Sequence, residues 1–590
     1  DGATISTNSL SDGQGGNINF KASNFIVERG ALVSAIASSS GNGGNIDIDS
    51  AQVQVIGVGS NNNFSELSVS AKENSIGNTG NLNITTNKLL IEDGGLIYAG
   101  TSGKGNGGNM TIDATSKIEL RGKGGIDNEF PSALLVVAQD NSSGNSGSLI
   151  INTQQMLVQS GAFISATNNG SGSAGDLKIT SNDLLIQDNS RFLAGSISEG
   201  KRVRDLTIKT SNLLISGGSE VNAGISILDG NLDIDAEDIQ VIGTGNNGNT
   251  PTSLTVSASG QNVGNMNINT KRMIIKDGAF LSTNALGEGN GGNLNINAED
   301  IQVIGKGGNN PENDNLPYSS GLFVTAEPSS SGDAGELTIN TKQMLVQDDA
   351  FVSSSTNSIG DGGNLIINAD SLQVKDSSLV ISDTSNQGAG GNLNITANSF
   401  LIEDEATIGS RTFGTGNAGK LIINSDILQV KDKSQVTVEA ETFGTGNAGI
   451  LELNARSVRL DNEALLNAST QSTDSNREQA TININSRDLI LRRGSNIKTN
   501  ARGENVQGGN ININSDIVAA IENSNISADS ENFRGGKVKI EANGIFNTQF
   551  SDITATGANP DLSGTVEINT PYINSTNELS DLPSIPINTK

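Results

Sequence analysis

The sequence predicts an all-β fold: a right-handed parallel β-helix (a solenoid) of about nineteen three-strand coils built on 28-residue repeats. Three observations predict it. A Gly-Gly-Asn-Leu-Asn-Ile motif recurs along the chain, as GGNINF at Gly15, GGNIDI at Gly43, GGNLNI at Gly291 and Gly390, and GGNINI at Gly508. Most successive copies lie 26 to 31 residues apart, a period that marks a solenoid. Between motifs, apolar residues alternate with polar ones in short period-two runs, and no helical periodicity is present.

The unit from Gly147 to Asn168, GSLIINTQQMLVQSGAFISATN, shows the elements in order. Leu149 and Ile151 make the inward pair of a first strand, Met156 and Val158 that of a second, and Ala162, Ile164 and Ala166 that of a third. The first-strand pair is apolar in all nineteen copies, from Ile18 to Val566. Glycine stands two residues before that strand in 17 of the 19 copies, with Arg204 and Ala480 as the exceptions. A turn needing positive φ is the expected reason. The next residue is Asn in ten copies, and stacked Asn amides are expected to hydrogen-bond along the solenoid axis. Gly44, Asn45, Gly108, Asn109, Gly292, Asn293, Gly391 and Asn392 are therefore read as structural ladders.

The segment DGATIST at the start has the pattern of a third strand, and neither an initiator Met nor a signal peptide precedes it, as expected of a mature or trimmed fragment. The solenoid is expected over residues 1–569, with loss of register in the 470–550 region. Residues 570–590 are expected to form a Pro/Ser/Asn-rich tail or cap over an otherwise unpaired coil end.

Composition excludes several function classes. The chain has no Cys, His or Trp, so disulfides, thiolate metal sites and Ser/His/Asp or Cys/His catalytic arrangements are excluded. No run of eighteen apolar residues offers a membrane span. A formal charge of −28 disfavours binding to a phosphate backbone, so no nucleic-acid partner is expected. No cofactor is expected.

The pattern G-N-G-G-N-[IL]-x-I, as in GEGNGGNLNINAED from Gly287, precedes L-x-[IV]-x-D-G-A-x-[IL]-S-[AT], as in KDGAFLSTNA from Lys276. On these motifs the chain resembles the repeat region of filamentous-haemagglutinin-like exoproteins of the cyanobacterial type, over roughly residues 1 to 569. The secretion domain that opens such proteins is not recognisable in it. The resemblance implies a two-partner secretion passenger, for which an outer-membrane secretion pore is the partner during export. It further implies an extracellular, cell surface-associated location and a role as adhesin stalk or surface fibre, with a host, cell-surface or glycan ligand.

Four coils carry longer connections between strands two and three, at 57–66, 121–132, 243–253 and 305–321. Their common position in the coil places them on one edge, and loops on one face of a solenoid are frequent recognition sites. Phe64, Phe130, Pro131 and Tyr318 in them are the partner-binding candidates; the alternative is that the rings fold back over the coil edge. Asp348, Asp376, Asp404 and Asp432 recur every 28 residues after strand two, as turn caps or, alternatively, as cation ligands. The nine-residue calcium-binding spacing is absent. An outward apolar column beside strand three (Leu32, Leu96, Phe163, Phe280, Phe351, Leu379) turns polar at Thr407, Gln435 and Asn496, and is a candidate for lateral self-association unless a loop covers it. EGKRVRD at 199–205 is the one basic cluster and is read as a local distortion or solvated loop rather than a binding patch.

A non-enzymatic rod is the leading expectation. The competing readings are a polysaccharide lyase or hydrolase and a self-associating matrix filament. Carboxylate pairs such as Asp348/Asp349 and Glu403/Asp404 are adjacent in sequence, which suits a catalytic pair poorly, since neighbours on a strand point to opposite faces.

Overall fold

A computed structural model describes the chain except for residues 1, 197–204, 225–229, 261, 312–315, 329, 441–445, 471–479, 549, 571 and 574–590. The basic cluster, but for Asp205, and most of the expected tail thus lie outside the described residues. The chain is all-β and divides into two compact units, Asp1–Asn394 with Gly414–Gly416, and Ile395–Phe413 with Asn417–Lys590. Each unit is a parallel β-solenoid. Together they hold about 18 turns spaced about 29 residues apart, and the four long connections stretch the mean spacing beyond 28. Among the described residues no helix is long and apolar enough to cross a membrane.

In unit 1 successive coils pair in parallel and in register, save for one extra residue at the corner of Met110–Arg121. Ile46 lies against Ile18 and Leu82, and Val33 against Ile5 and Leu67, so like residues stack on like. Strands one and two run together in some coils, as in the eleven-residue Ile46–Ile56, and are separate in others, as in Leu232–Asp235 and Asp238–Ile242. Ile46, Ile48 and Ser50 point inward, and then Val53 and Val55 do, so the inward phase slips by one residue at the corner. Pairing survives on both sides of that corner, which is why two faces of the coil share one ladder. The interior is a dry stack: Ile46, Val53, Val55, Leu67 and Val69 are all 0% exposed. Burying each such side chain contributes about 1.5–3 kcal/mol. The first segment, Thr4–Ser9, pairs as a third strand against Leu32–Ala37, as its sequence predicts.

The ladder glycines hold their places for a reason other than the expected one. Gly44, Gly108, Gly292 and Gly391 do not adopt positive φ. A Cβ on each would instead overlap a backbone carbonyl oxygen one coil back, that of Gly16, Gly80, Gly264 and Gly363 respectively. Glycine is needed there because neighbouring coils approach backbone to backbone. Positive φ falls after strand two, at pairs such as Asp93/Gly94, Asp277/Gly278 and Asp376/Ser377.

The Asn ladder also differs in detail. Each side-chain carbonyl accepts from the backbone N–H of the next coil: Asn45 Oδ1 from Asn81 N at 2.8 Å, Asn109 Oδ1 from Ser148 N at 2.8 Å, Asn293 Oδ1 from Glu336 N at 2.9 Å, and Asn364 Oδ1 from Asn392 N at 3.2 Å. The Asn three positions earlier does the same, as in Asn78 Oδ1 to Asn106 N at 2.7 Å. Both Asn residues of the G-N-G-G-N motif thus satisfy turn N–H groups that no strand pairs. Amide-on-amide stacking occurs on the outer face of the first strands instead, as in Asn295 Nδ2 donating to Asn267 Oδ1 at 2.9 Å.

In unit 2 the first and second strands are equally long, for example Lys420–Lys431, but the third strand shrinks to three residues, as in Gln435–Thr437 and Leu465–Asn467. The corner before the first strand is drawn in by backbone bonds: Gly449 N–H donates to Val438 O, Gly509 to Thr499 O and Gly536 to Ala528 O, each at 2.7 Å. Among the described residues of the 470–550 region the register does not drift. Ile482, Ile511 and Val538 stack in order, and Ala480 stands where glycine usually does. The pairing runs past Asn569, since Tyr572–Ile573 pairs with Gly544 and Ile545.

Candidate interaction edge

In their described residues the four long connections of unit 1 are β-hairpins with a common base. Lys123–Gly124 pairs antiparallel with Phe130–Pro131, Thr244–Gly245 with Thr250–Pro251, and Lys306–Gly307 with Tyr318–Ser319; a Val58↔Phe64 bridge closes the first. Each opens with Gly-x-Gly. The first glycine has positive φ, +71° at Gly57, +77° at Gly122, +74° at Gly243 and +76° at Gly305, a conformation other residues adopt with strain. The second glycine (Gly59, Gly124, Gly245, Gly307) lies against the turn of the preceding coil, where a Cβ would press on the backbone of Arg29, Asp93, Gly217 or Asp277.

Each hairpin ends on a fully buried hydroxyl: Ser65, Ser132, Thr252 or Ser320. The backbone N–H of that residue returns to the first glycine's carbonyl at about 3.0 Å, for example Ser132 N to Gly122 O. Its hydroxyl accepts from the turn glycine of the preceding coil, Gly94 N to Ser132 Oγ at 3.1 Å and Gly278 N to Ser320 Oγ at 3.0 Å. The hairpins are therefore fastened to the coil stack at both feet.

They also come in two pairs. Hairpins 57–65 and 121–132 flank the coil that turns at Asp93/Gly94, and across it the rings of Phe64 and Phe130 meet edge to face at 4.7 Å between centroids. Hairpins 243–252 and 305–320 flank the coil that turns at Asp277/Gly278. There Tyr318 Oη donates to Asn249 O at 3.1 Å, and Asn309 N to Gly248 O at 2.9 Å. The structure thus brings the candidate residues together in two groups: Phe64 with Phe130, and Tyr318 with the neighbouring hairpin's backbone. Pro131 pairs with Lys123 inside its own hairpin. The rings are half-buried and clamp hairpin to hairpin. At the tips stand two aliphatic residues that sequence reading passed over, Ile126 at 73% and Leu316 at 55% exposure.

A sequence signal for this arrangement exists. VQVIGVG at 53–59, IELRGKG at 118–124, IQVIGTG at 239–245 and IQVIGKG at 301–307 all lead into hairpins. After the second hairpin of each pair comes NTQQMLVQ at 152–159 or NTKQMLVQ at 340–347. The hairpin, plain coil, hairpin arrangement is an internal duplication.

The repeated aspartates occupy left-handed backbone positions. Asp348 (φ +60°) and Asp376 (+52°) do so in unit 1, Asp404 (+55°) and Asp432 (+54°) in unit 2. Asp and Asn tolerate that conformation best among residues with a side chain, and Asn462 (φ +55°) takes the same place, donating to Asp432 Oδ1 at 2.8 Å. Among the described residues no group of three or more acidic side chains is gathered as a metal site. The adjacent carboxylate pairs are split between different neighbours: Asp349 pairs with Lys306 at 2.8 Å while Asp348 accepts from Gln347, and Glu403 pairs with Lys431 at 2.5 Å. Hydrogen bonds from cations or amides hold Glu299, Glu452, Asp461 and Glu567 below the ordinary carboxyl range: Lys342 for Glu299, Lys420 for Glu452, Arg493 for Asp461 and Asn569 for Glu567.

No family model matches this chain, and no curated protein or solved structure matches it.

Proposed function

We propose that the protein is a non-enzymatic extracellular scaffold, an adhesin stalk or surface fibre exported through an outer-membrane pore, that presents paired hairpins along one edge. The observation that carries this reading is the duplicated hairpin pair, fastened at both feet by the same Gly-x-Gly and buried-hydroxyl bonds. Insertions that were merely tolerated would not be expected to share one anchoring scheme at four places. Two of the hairpins expose an aliphatic side chain, Leu316 and Ile126, the latter beside exposed Asp127 and Asn128, a mixture suited to binding a partner surface or a glycan.

A glycosidase needs a carboxyl group held protonated near neutrality. The four carboxyls displaced most clearly here are pushed the other way by their partners. None of those four is therefore poised as a glycosidase general acid.

The test is binding of the purified chain to a glycan array and to intact cells, repeated with residues 122–131 and 306–319 each replaced by a two-residue Asp-Gly turn. Loss of binding on shortening either hairpin is expected. Equal binding by the intact and the doubly shortened chain removes the hairpin edge from the function, and release of reducing sugars from cell-wall polysaccharide would replace the scaffold reading with an enzymatic one.

A further inference from the structure

We propose that the outward face of the third-strand sheet in unit 1 is a homotypic docking surface, on which a second copy of this chain packs sheet to sheet. The face is separate from the hairpin edge and does not depend on what the hairpins bind.

Three properties set the face apart. The first is charge. The third strands of unit 1, thirteen segments from Thr4–Ser9 to Leu379–Ile381, contain only three charged residues, Glu66, Arg191 and Glu220. Two of them neutralise each other, Arg191 Nε lying 3.0 Å from Glu220 Oε2. The outer face of the adjoining sheet is charged in nearly every coil, with Lys21–Asp49, Arg121–Glu92 and Arg272–Asp238 pairs among others.

The second property is an aromatic and aliphatic ladder. Phe280, Phe323, Phe351 and Leu379 follow one another on successive coils, with centroids 6.0 Å apart for Phe280 and Phe323 and 6.4 Å for Phe323 and Phe351. Phe323 starts two residues further along its strand, and its ring folds back over Gly321, where any Cβ would collide with it. Glycine at 321 thereby keeps the ladder in line. Tyr98 uses Gly100 in the same way on an earlier coil, and burial of its hydroxyl raises the Tyr98 pKa.

The third property is area. With about 4.8 Å between coils and about 3.3 Å per residue along each strand, eleven six-residue and two three-residue strands make a face of roughly 1,100 Å². A stable interface needs roughly 800 Å² from each partner.

Charge selects a second copy as the occupant. Each chain carries a net −28, so two copies repel wherever their charged faces meet. They can pack closely only where charge is missing, and this face is such a place. Apolar rungs between Ser, Thr and Asn neighbours then interdigitate as in aligned sheet packing.

Sedimentation velocity of the full chain through the micromolar range tests the proposal. Concentration-dependent dimers are expected, and dimerisation should strengthen with added salt, because screening removes repulsion while no ion pair is lost. Phe323→Lys with Phe351→Lys should weaken the dimer about tenfold or more. Lysine lowers the net negative charge, so the loss cannot come from a larger net charge on each copy. Phe351→Ser guards against misfolding, since Ser253 already occupies the same register position, and it should weaken the dimer with an unchanged circular-dichroism melt. Leu185→Lys with Leu214→Lys, outward on the other sheet, should change nothing. A chain that stays monomeric throughout overturns the proposal, as do dimers that dissolve in salt or survive all substitutions of the face.

Discussion

In unit 1 most third strands run six residues and turn Phe, Leu, Ser and Thr outward, whereas in unit 2 they run three residues or fewer and turn Thr, Gln, Asn and a single Leu, Leu465, outward. The inward residues hardly change: Val352 and Val380 in one unit correspond to Ile408, Val436 and Leu466 in the other, all 0% exposed. The closing of the coil changes with the outer face. Unit 1 bridges the coil with buried hydroxyls, such as Ser354 Oγ donating to Gly335 O at 3.0 Å, while unit 2 uses backbone N–H to carbonyl bonds at 2.7 Å. In a solenoid each coil answers only to its neighbours, so a uniform core leaves the outward positions free to diverge.

The largest expected effect concerns what the units share. Phe192 in unit 1 and Phe400 in unit 2 are the bulkiest fully buried side chains, and each replaced by Ala should cost about 3–5 kcal/mol. Denaturant midpoints that differ strongly between the two variants would show that the cores are not equivalent. The next separates the units. A Cβ at Gly363 would overlap the Gly335 carbonyl oxygen, and one at Gly509 in unit 2 would lie 2.5 Å from that of Ala480, so both overlap backbone and the first does so more deeply. Both Gly363→Ala and Gly509→Ala are expected to cost about 1–3 kcal/mol, with Gly363→Ala the larger; a larger loss in midpoint for Gly509→Ala would sink that order.

The smallest effect is electrostatic. Arg493 donates two hydrogen bonds to Asp461, at 2.7 and 2.6 Å, and lowers its pKa in the folded state. A depressed carboxyl contributes stability that is present above the unfolded value of about 3.9 and lost as pH falls through the folded one. Asp461→Asn should therefore flatten the acid limb of unit 2's stability below about pH 4. The Glu299–Lys342 pair of unit 1 is more exposed, so added salt should erase its contribution first. Melting curves against pH at two salt concentrations check both statements.

Much of this was legible in the residues. Period-two alternation at a constant interval placed Ile46, Ile48, Val53 and Val55 inward, and the four insertions at one edge. The outward column from Leu32 to Leu379 and its polar turn at Thr407 were equally plain. The reason for the ladder glycines was not, because the overlap at Gly44 involves a carbonyl 28 residues away, whose distance only stacking sets. The role of Asn45 was half legible: a polar ladder, but with the backbone N–H of Asn81 as its donor. The hairpins looked like loops because Phe64 and Phe130 are 66 residues apart and meet only across an intervening coil.

By itself the sequence determined that the chain is a stack of like coils, since alternating inward residues repeated at one interval can bury themselves only against their own copies. The tertiary structure alone decided which face lacks charge, which hairpins pair, and which glycines are indispensable. Those properties belong to residues from different coils brought within bonding distance, and such distances are a consequence of stacking that local pattern does not contain.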